Sequence, residues 1–143
     1  MNLSNNRHFT LDEILDRSRS ADALVRDDAI YRLADFISDE RAITRLYEML
    51  DDESVTMRID AAEVLAKHGG ADGLLLVMEK LGERSSDPDA DYIAYKLYEL
   101  DASGEIEVVD TIESTKGELS VIGSTAFENF KVLRFGGGQG NKQ

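Results

Sequence analysis

The sequence predicts an all-α protein: a short α-solenoid of about three helix pairs closed by an irregular C-terminal cap. Three observations carry this expectation. The pattern apolar-Arg-x-Asp-Ala-x-x-x-Leu occurs at Val25–Leu33 and returns at Met57–Leu65, an offset of 32 residues. Within each copy the apolar residues recur at spacings of three and four, the period of one helix face and not of a strand. Asp22, Ser54 and Ser86, all good helix-starting residues, stand at the same offset. Self-similarity at a fixed period marks stacked units, each too small to bury its own apolar face.

Taken in chain order, residues 11–19 form a first helix that covers the N-terminal end. Val25, Ala29, Leu33 and Phe36 line the next helix, and Ile43, Leu46, Met49 and Leu50 line its neighbour. The second pair repeats this arrangement with Met57, Ala61 and Leu65, then Leu75, Met78 and Leu81, divided at Gly69-Gly70. In the third copy Asp87 rivals Ser86 as the cap, because Pro88 then falls at the first helical position. Ile93 and Leu97 keep the repeat phase there, although the Arg and Asp are lost. Ser103-Gly104 breaks that helix, as helix ends favour, and Ile106, Val109 and Ile112 follow at an offset of 31. Leu33, Leu65 and Leu97, with Ala29, Ala61 and Ile93 beside them, are the expected core. The repeat domain spans residues 1–116. Residues 117–135 do not fit the repeat: Leu119, Val121 and Ile122 read as a strand-like run, and Ser124 as the start of a short helix carrying Phe127, Phe130 and Leu133. Val132 and Phe135 suit a strand instead. Residues 136–143, rich in Gly, read as a flexible tail.

Composition narrows the function. Sixteen Lys and Arg stand against 29 Asp and Glu in 143 residues, a net charge of −13. The charge is concentrated in residues 22–113, where 24 acids face nine bases. Such a body repels phosphates, which argues against direct nucleic-acid binding, and it suits a basic protein partner. There is no Cys, so disulfides, thiolate metal sites and Cys nucleophiles are excluded. No apolar run is long enough for a membrane span, and the N-terminus does not read as a signal peptide. These features place the chain in the cytoplasm. The two His, His8 and His68, lack metal-ligand spacing, and His68 reads as a cation at a helix end. Asp51-Asp52-Glu53 is a loop run without the alternation of a calcium loop. The terminal Gly cluster lacks the Lys-Ser/Thr of a phosphate loop. No cofactor, metal or catalytic set is expected.

Val25-Arg26…Ala29 and Met57-Arg58…Ala61-Ala62…Leu65 resemble the second-helix pattern of the HEAT-like repeat family, and the short period is similar to that of its phycobilisome-lyase type. The resemblance covers roughly residues 12–113 and implies a binding scaffold. It also implies that Arg26 and Arg58, with Asp28 and Asp60, form a ladder of ion pairs and caps between repeats. Small acidic proteins of this type resemble bacterial immunity proteins, which neutralise a cognate toxin. The expected function is thus a non-catalytic protein-binding module, monomeric when free, that captures a basic partner such as a toxin. A general assembly scaffold and a pigment-lyase-like enzyme or chaperone are the alternatives.

The candidate surface is the column Tyr31, Glu63 and Tyr95, spaced by 32 residues beside the core stripe. Asp27 and Asp91 stand four residues before its ends, and Tyr92 widens its aromatic part. Tyr offers large, stiff contact area with a polar tip, which suits it to anchor an interface. Asp27, Tyr31, Glu63, Asp91, Tyr92 and Tyr95 are therefore the expected partner-binding residues.

Overall fold

A computed structural model describes residues 8–136, and helix accounts for 76% of these residues, with no strand among them. The helices are α1 (Leu11–Arg17), α2 (Ala23–Leu33), α3 (Glu40–Met49), α4 (Val55–His68), α5 (Gly70–Glu83), α6 (Ala90–Ala102), α7 (Val108–Thr115) and α8 (Val121–Phe135). None is long and apolar enough to cross a membrane.

Local chemistry sets where the helices begin. Each helix leaves its first N–H groups without intrahelical acceptors, and side chains take their place. Thr10 and Glu13 form a reciprocal capping box at α1. Asp22, Asp39 and Ser54 accept backbone N–H groups at the starts of α2, α3 and α4. In the third repeat, Asp87 and not Ser86 organises the turn: its carboxylate accepts the Asp89 N–H at 2.9 Å, and α6 begins at Ala90. The start of α7 borrows its cap from the preceding helix, since Asp101 accepts the N–H of Val108 at 2.8 Å and of Val109 at 3.3 Å. Gly70 and Gly104 adopt positive φ at the expected breaks.

Helices α2, α4 and α6 lie side by side, and α3, α5 and α7 alternate with them. Helix α4 is packed against α2, α3, α5 and α6, while α1 closes the end over α2 and α3. The expected core positions are buried: Ala29, Leu33, Ala61, Leu65 and Leu97 are 0% exposed and Ile93 is 3% exposed. Leu65 is fully buried on α4, the helix on which α2, one repeat away, also packs.

The segment after residue 116 departs from the sequence reading. No strand forms at Leu119–Ile122, and Ser124 is not the cap. Ser120 accepts the Gly123 N–H at 3.1 Å, and a single helix runs from Val121 to Phe135. Its buried face is Gly123, Phe127 and Phe130. Val132 and Phe135, which suited a strand, lie on this helix and remain exposed. Of the expected Gly-rich tail, residues 137–143 lie outside the described residues.

Helix α8 folds back on α5 and runs beside α6. Two glycines permit the α5–α8 crossing. A Cβ on Gly82 would lie 2.5 Å from the carbonyl oxygen of Ile122, and one on Gly123 would lie 2.6 Å from Glu79 Oε1. Glu79 occupies that space because it accepts the backbone N–H of Ser120 at 2.6 Å and its hydroxyl at 2.5 Å. A carboxylate there also complements the positive end of the α8 dipole.

Two stability outcomes follow from this packing. Leu65→Ala removes a fully buried side chain between repeats and is expected to cost about 2–5 kcal/mol; chemical denaturation measures it, and an unchanged midpoint contradicts the repeat phase. Gly82→Ala forces α8 away from α5 against backbone and is expected to cost about 1–3 kcal/mol. Hydrogen exchange should then show α8 losing protection before α4.

Candidate functional site

Arg26 and Arg58 occupy equivalent repeat positions; Arg26 is buried and Arg58 half-buried. The Arg26 guanidinium donates from Nε and Nη2 to the two oxygens of Asp52, at 3.2 and 3.3 Å, and from Nη1 to the Ser20 carbonyl at 3.0 Å. Arg58 donates to the Asp52 carbonyl and reaches Asp87 at 3.8 Å. The Arg residues thus clamp the loops between helices, but not through Asp28 and Asp60, the partners expected of them. The Asp partners diverge. Asp28 pairs with Arg32 on its own helix at 2.6 Å. Asp60 instead faces Asp27 and Tyr31. The run Asp51-Asp52-Glu53, read from the sequence as a plain loop, does more. Asp51 takes the buried Lys80 ammonium at 2.7 Å and pairs with Arg84. Burial opposes ionisation of Asp51, but hydrogen bonds from these two cations hold its carboxyl below the usual range.

With those cations committed, the candidate column can be placed residue by residue. Tyr31 of α2 and Glu63 of α4 meet: the phenol donates to Glu63 Oε1 at 3.3 Å. Asp27, one turn before Tyr31, sits against Asp60 of α4. Asp60 was not among the expected contact residues; its repeat position suggested a capping role. Asp91, Tyr92 and Tyr95 project from α6, all exposed. Tyr31, Tyr92 and Tyr95 are 45%, 56% and 53% exposed, so the rings are open to a partner. The structure joins Tyr31, Glu63 and Asp27 directly, whereas Tyr92 and Tyr95 stand one helix further along. Lys67, one turn after Glu63 and outside the expected contact set, reaches Glu63 at 3.6 Å and Glu105 at 2.9 Å, and so offsets part of the charge. Tyr98 is half-buried, 5.7 Å beneath the Arg134 guanidinium, and belongs to the packing of α6 with α8.

The electrostatics of the α2–α4 junction are unusual. Burial pushes the Asp27 carboxyl up, and its hydrogen bond with Asp60 and the charges of Asp60 and Asp28 push it further, to about 7. One Asp27 oxygen is buried with no hydrogen-bond partner. Two carboxylates in contact cannot both ionise cheaply, so one retains a proton. The Tyr31 phenol is raised as well, first by burial and then by Asp60, Glu63 and Asp27, and therefore stays a donor.

A groove of about 370 Å³ lies at the other side of the candidate residues, between the end of α5, the first half of α6 and α8. Leu81, Ala94, Ala126, Phe130 and Leu133 form its apolar lining, with Asp91 and Tyr95 among its walls. The sequence carried no signal for it, because one wall is the segment read as irregular. Among the described residues, no cluster of His, Asp and Glu is arranged to hold a metal ion.

No protein-family model, curated protein or solved structure matches this chain.

The Asp27–Asp60 contact sets a pH dependence. Asp27 loses its proton near 3.8 in the unfolded chain but near 7 in the folded one. Its contribution to stability is complete below pH 4 and disappears as the pH rises through 7. Asp27→Asn, which cannot ionise, is expected to be more stable than wild type at pH 8, with the gap narrowing at pH 5. Thermal melts at the two pH values measure this, and an equal gap at both contradicts the assignment.

Proposed function

We propose that this chain is a short HEAT-like α-solenoid that captures a basic protein partner, in the manner of an immunity protein that neutralises a toxin. The observation that carries the reading is the stripe across α2, α4 and α6, where exposed Tyr31, Tyr92 and Tyr95 alternate with Asp27, Glu63 and Asp91. The repeat turns residues 32 apart into neighbours, as the Tyr31–Glu63 hydrogen bond illustrates. Aromatic anchors supply contact area, and the acids of the stripe, Asp91 above all because it stands in no ion pair among the described residues, attract Lys and Arg on the approaching surface. The net charge of −13 favours fast capture of a cationic protein over long range. In this reading the protein acts in the cytoplasm, works without a cofactor and is monomeric until it meets its partner. Its contribution is steric and electrostatic, not catalytic.

The division of labour on the stripe is testable. Wild-type protein immobilised on resin is expected to retain a basic protein from its native cell, and Tyr31→Ala with Tyr95→Ala to retain much less. Against the purified partner, the tyrosine changes should speed dissociation by about thirtyfold, equivalent to about 2 kcal/mol at a buried anchor. Replacing Glu63 and Asp91 by their amides should instead slow association and flatten its salt dependence. Undiminished capture by the double tyrosine variant would falsify the stripe as the contact surface.

A further inference from the structure

The groove between α5, α6 and α8 is open for a structural reason. Helix α8 is hung on α5 by the Gly82–Gly123 crossing and the Glu79–Ser120 hydrogen bonds, and only its far end is tied to α6, by Arg134 on Asp101 at 2.7 Å. The lining includes short side chains on both helices, Ala90 and Ala94 on α6 and Thr125 and Ala126 on α8. None can reach across, and the buried Phe130 ring forms part of the floor. The volume, about 370 Å³, falls within the range of ligand-binding pockets. Ile122, at one edge, is 48% exposed and adds apolar surface outside the gap.

The charged groups around the groove are not balanced. Arg84 is spent on Asp51, and Asp87 on the Asp89 N–H and on Arg58. Asp91 is exposed and stands in no ion pair among the described residues, leaving the rim negative. Asp91 and Tyr95 also belong to the stripe across α2, α4 and α6, so the groove continues that surface. An apolar trough with a negative edge matches a helix that carries leucine-like side chains on one face and Lys or Arg beside them.

We propose that this groove receives a cationic amphipathic helix of the protein partner, its apolar side chains filling the space between Ala94 and Ala126 and a basic side chain pairing with Asp91. The inference rests on the reading of the chain as a binder of a basic protein, and it names the element of that partner which the groove would hold.

The probe is a dye-labelled synthetic peptide of about 18 residues with Leu on one helical face and Lys on the other. Two counterparts replace Lys by Glu, or Leu by Ser. Fluorescence polarisation is expected to show the Leu/Lys peptide binding at least about tenfold more tightly than either counterpart, since it alone satisfies both the trough and its edge. Ala126→Trp, which plugs the groove, and Asp91→Lys should each weaken binding by about tenfold, while Glu40→Lys, the same charge change on α3, should alter it by less than about twofold. In wild-type protein, the methyl resonances of Ala90, Ala94 and Ala126 should shift on titration, a readout independent of whether any variant folds. Equal binding of the Ser/Lys or the Leu/Glu peptide, or unmoved alanine methyls, overturns the proposal. So does undiminished retention of a cellular basic protein by folded Ala126→Trp, which leaves the stripe intact. Peptide seated in the groove with no basic protein retained from the cell overturns the broader reading and leaves the groove standing.

Discussion

Helix α4 buries the nearly continuous run Ala61, Ala62, Val64, Leu65 and Ala66, which spreads around more of the helix than one amphipathic stripe, because α2, α3, α5 and α6 all pack on it. That shared burial is the constraint on which the rest of the structure depends. Ala61 and Ala62 are small enough to admit neighbouring helices closely, and Leu65 and Val64 fill the remaining space. A short helix in water is marginal on its own, so each helix here is stable through its neighbours. The side-by-side arrangement of α2, α4 and α6 follows from this, and with it the meeting of residues separated by one repeat.

The same arrangement sorts the acids into two populations. Asp51, Asp52, Glu83 and Asp87 are engaged by Lys80, Arg26, Arg84 and Arg58, and hold the interhelical loops to the helices. The buried Arg26–Asp52 pair recovers little net energy, because desolvation consumes most of the attraction, and the more exposed pairs are weakened by solvent. What they fix is register: each Arg of the repeat joins the loop that begins its own helix to the loop that begins the equivalent helix of the next repeat. Asp91 is left exposed on α6, while Asp27, Asp60 and Glu63 are half-buried at the α2–α4 junction, with Lys67 as partial relief. The local negative field of this second group adds to the long-range field of the net charge of −13.

Helix α8 shows how one docking decision shapes a surface. Its attachment to α5 leaves it too far from α6 for small side chains to close the gap. Arg134 reaches Asp101 at 2.7 Å and pins the far end, so the separation is held at both ends. Asp101 does double duty there, since it also caps α7. Packing of α8 thereby couples the groove to the last repeat.

Much of this protein was legible in local sequence. The 32-residue offset, the caps at Asp22 and Ser54, the breaks at Gly70 and Gly104 and the buried column of Leu33, Leu65 and Leu97 need only side-chain periodicity and backbone preference. The exposure of Tyr31 and Tyr95 was readable too, because the core stripe beside them was already filled. Residues 121–135 were not, since Val, Ile and Phe serve a strand or a helix equally, and contact with α5 decided between them. The fates of Asp28 and Asp60 diverged for a similar reason: one had an Arg four residues away, the other only what α2 placed opposite it. The sequence alone thus determined which faces are buried and which residues share a repeat position. Only tertiary structure decided which acids would be neutralised and where a groove would remain, because both depend on distances between helices that no local pattern encodes.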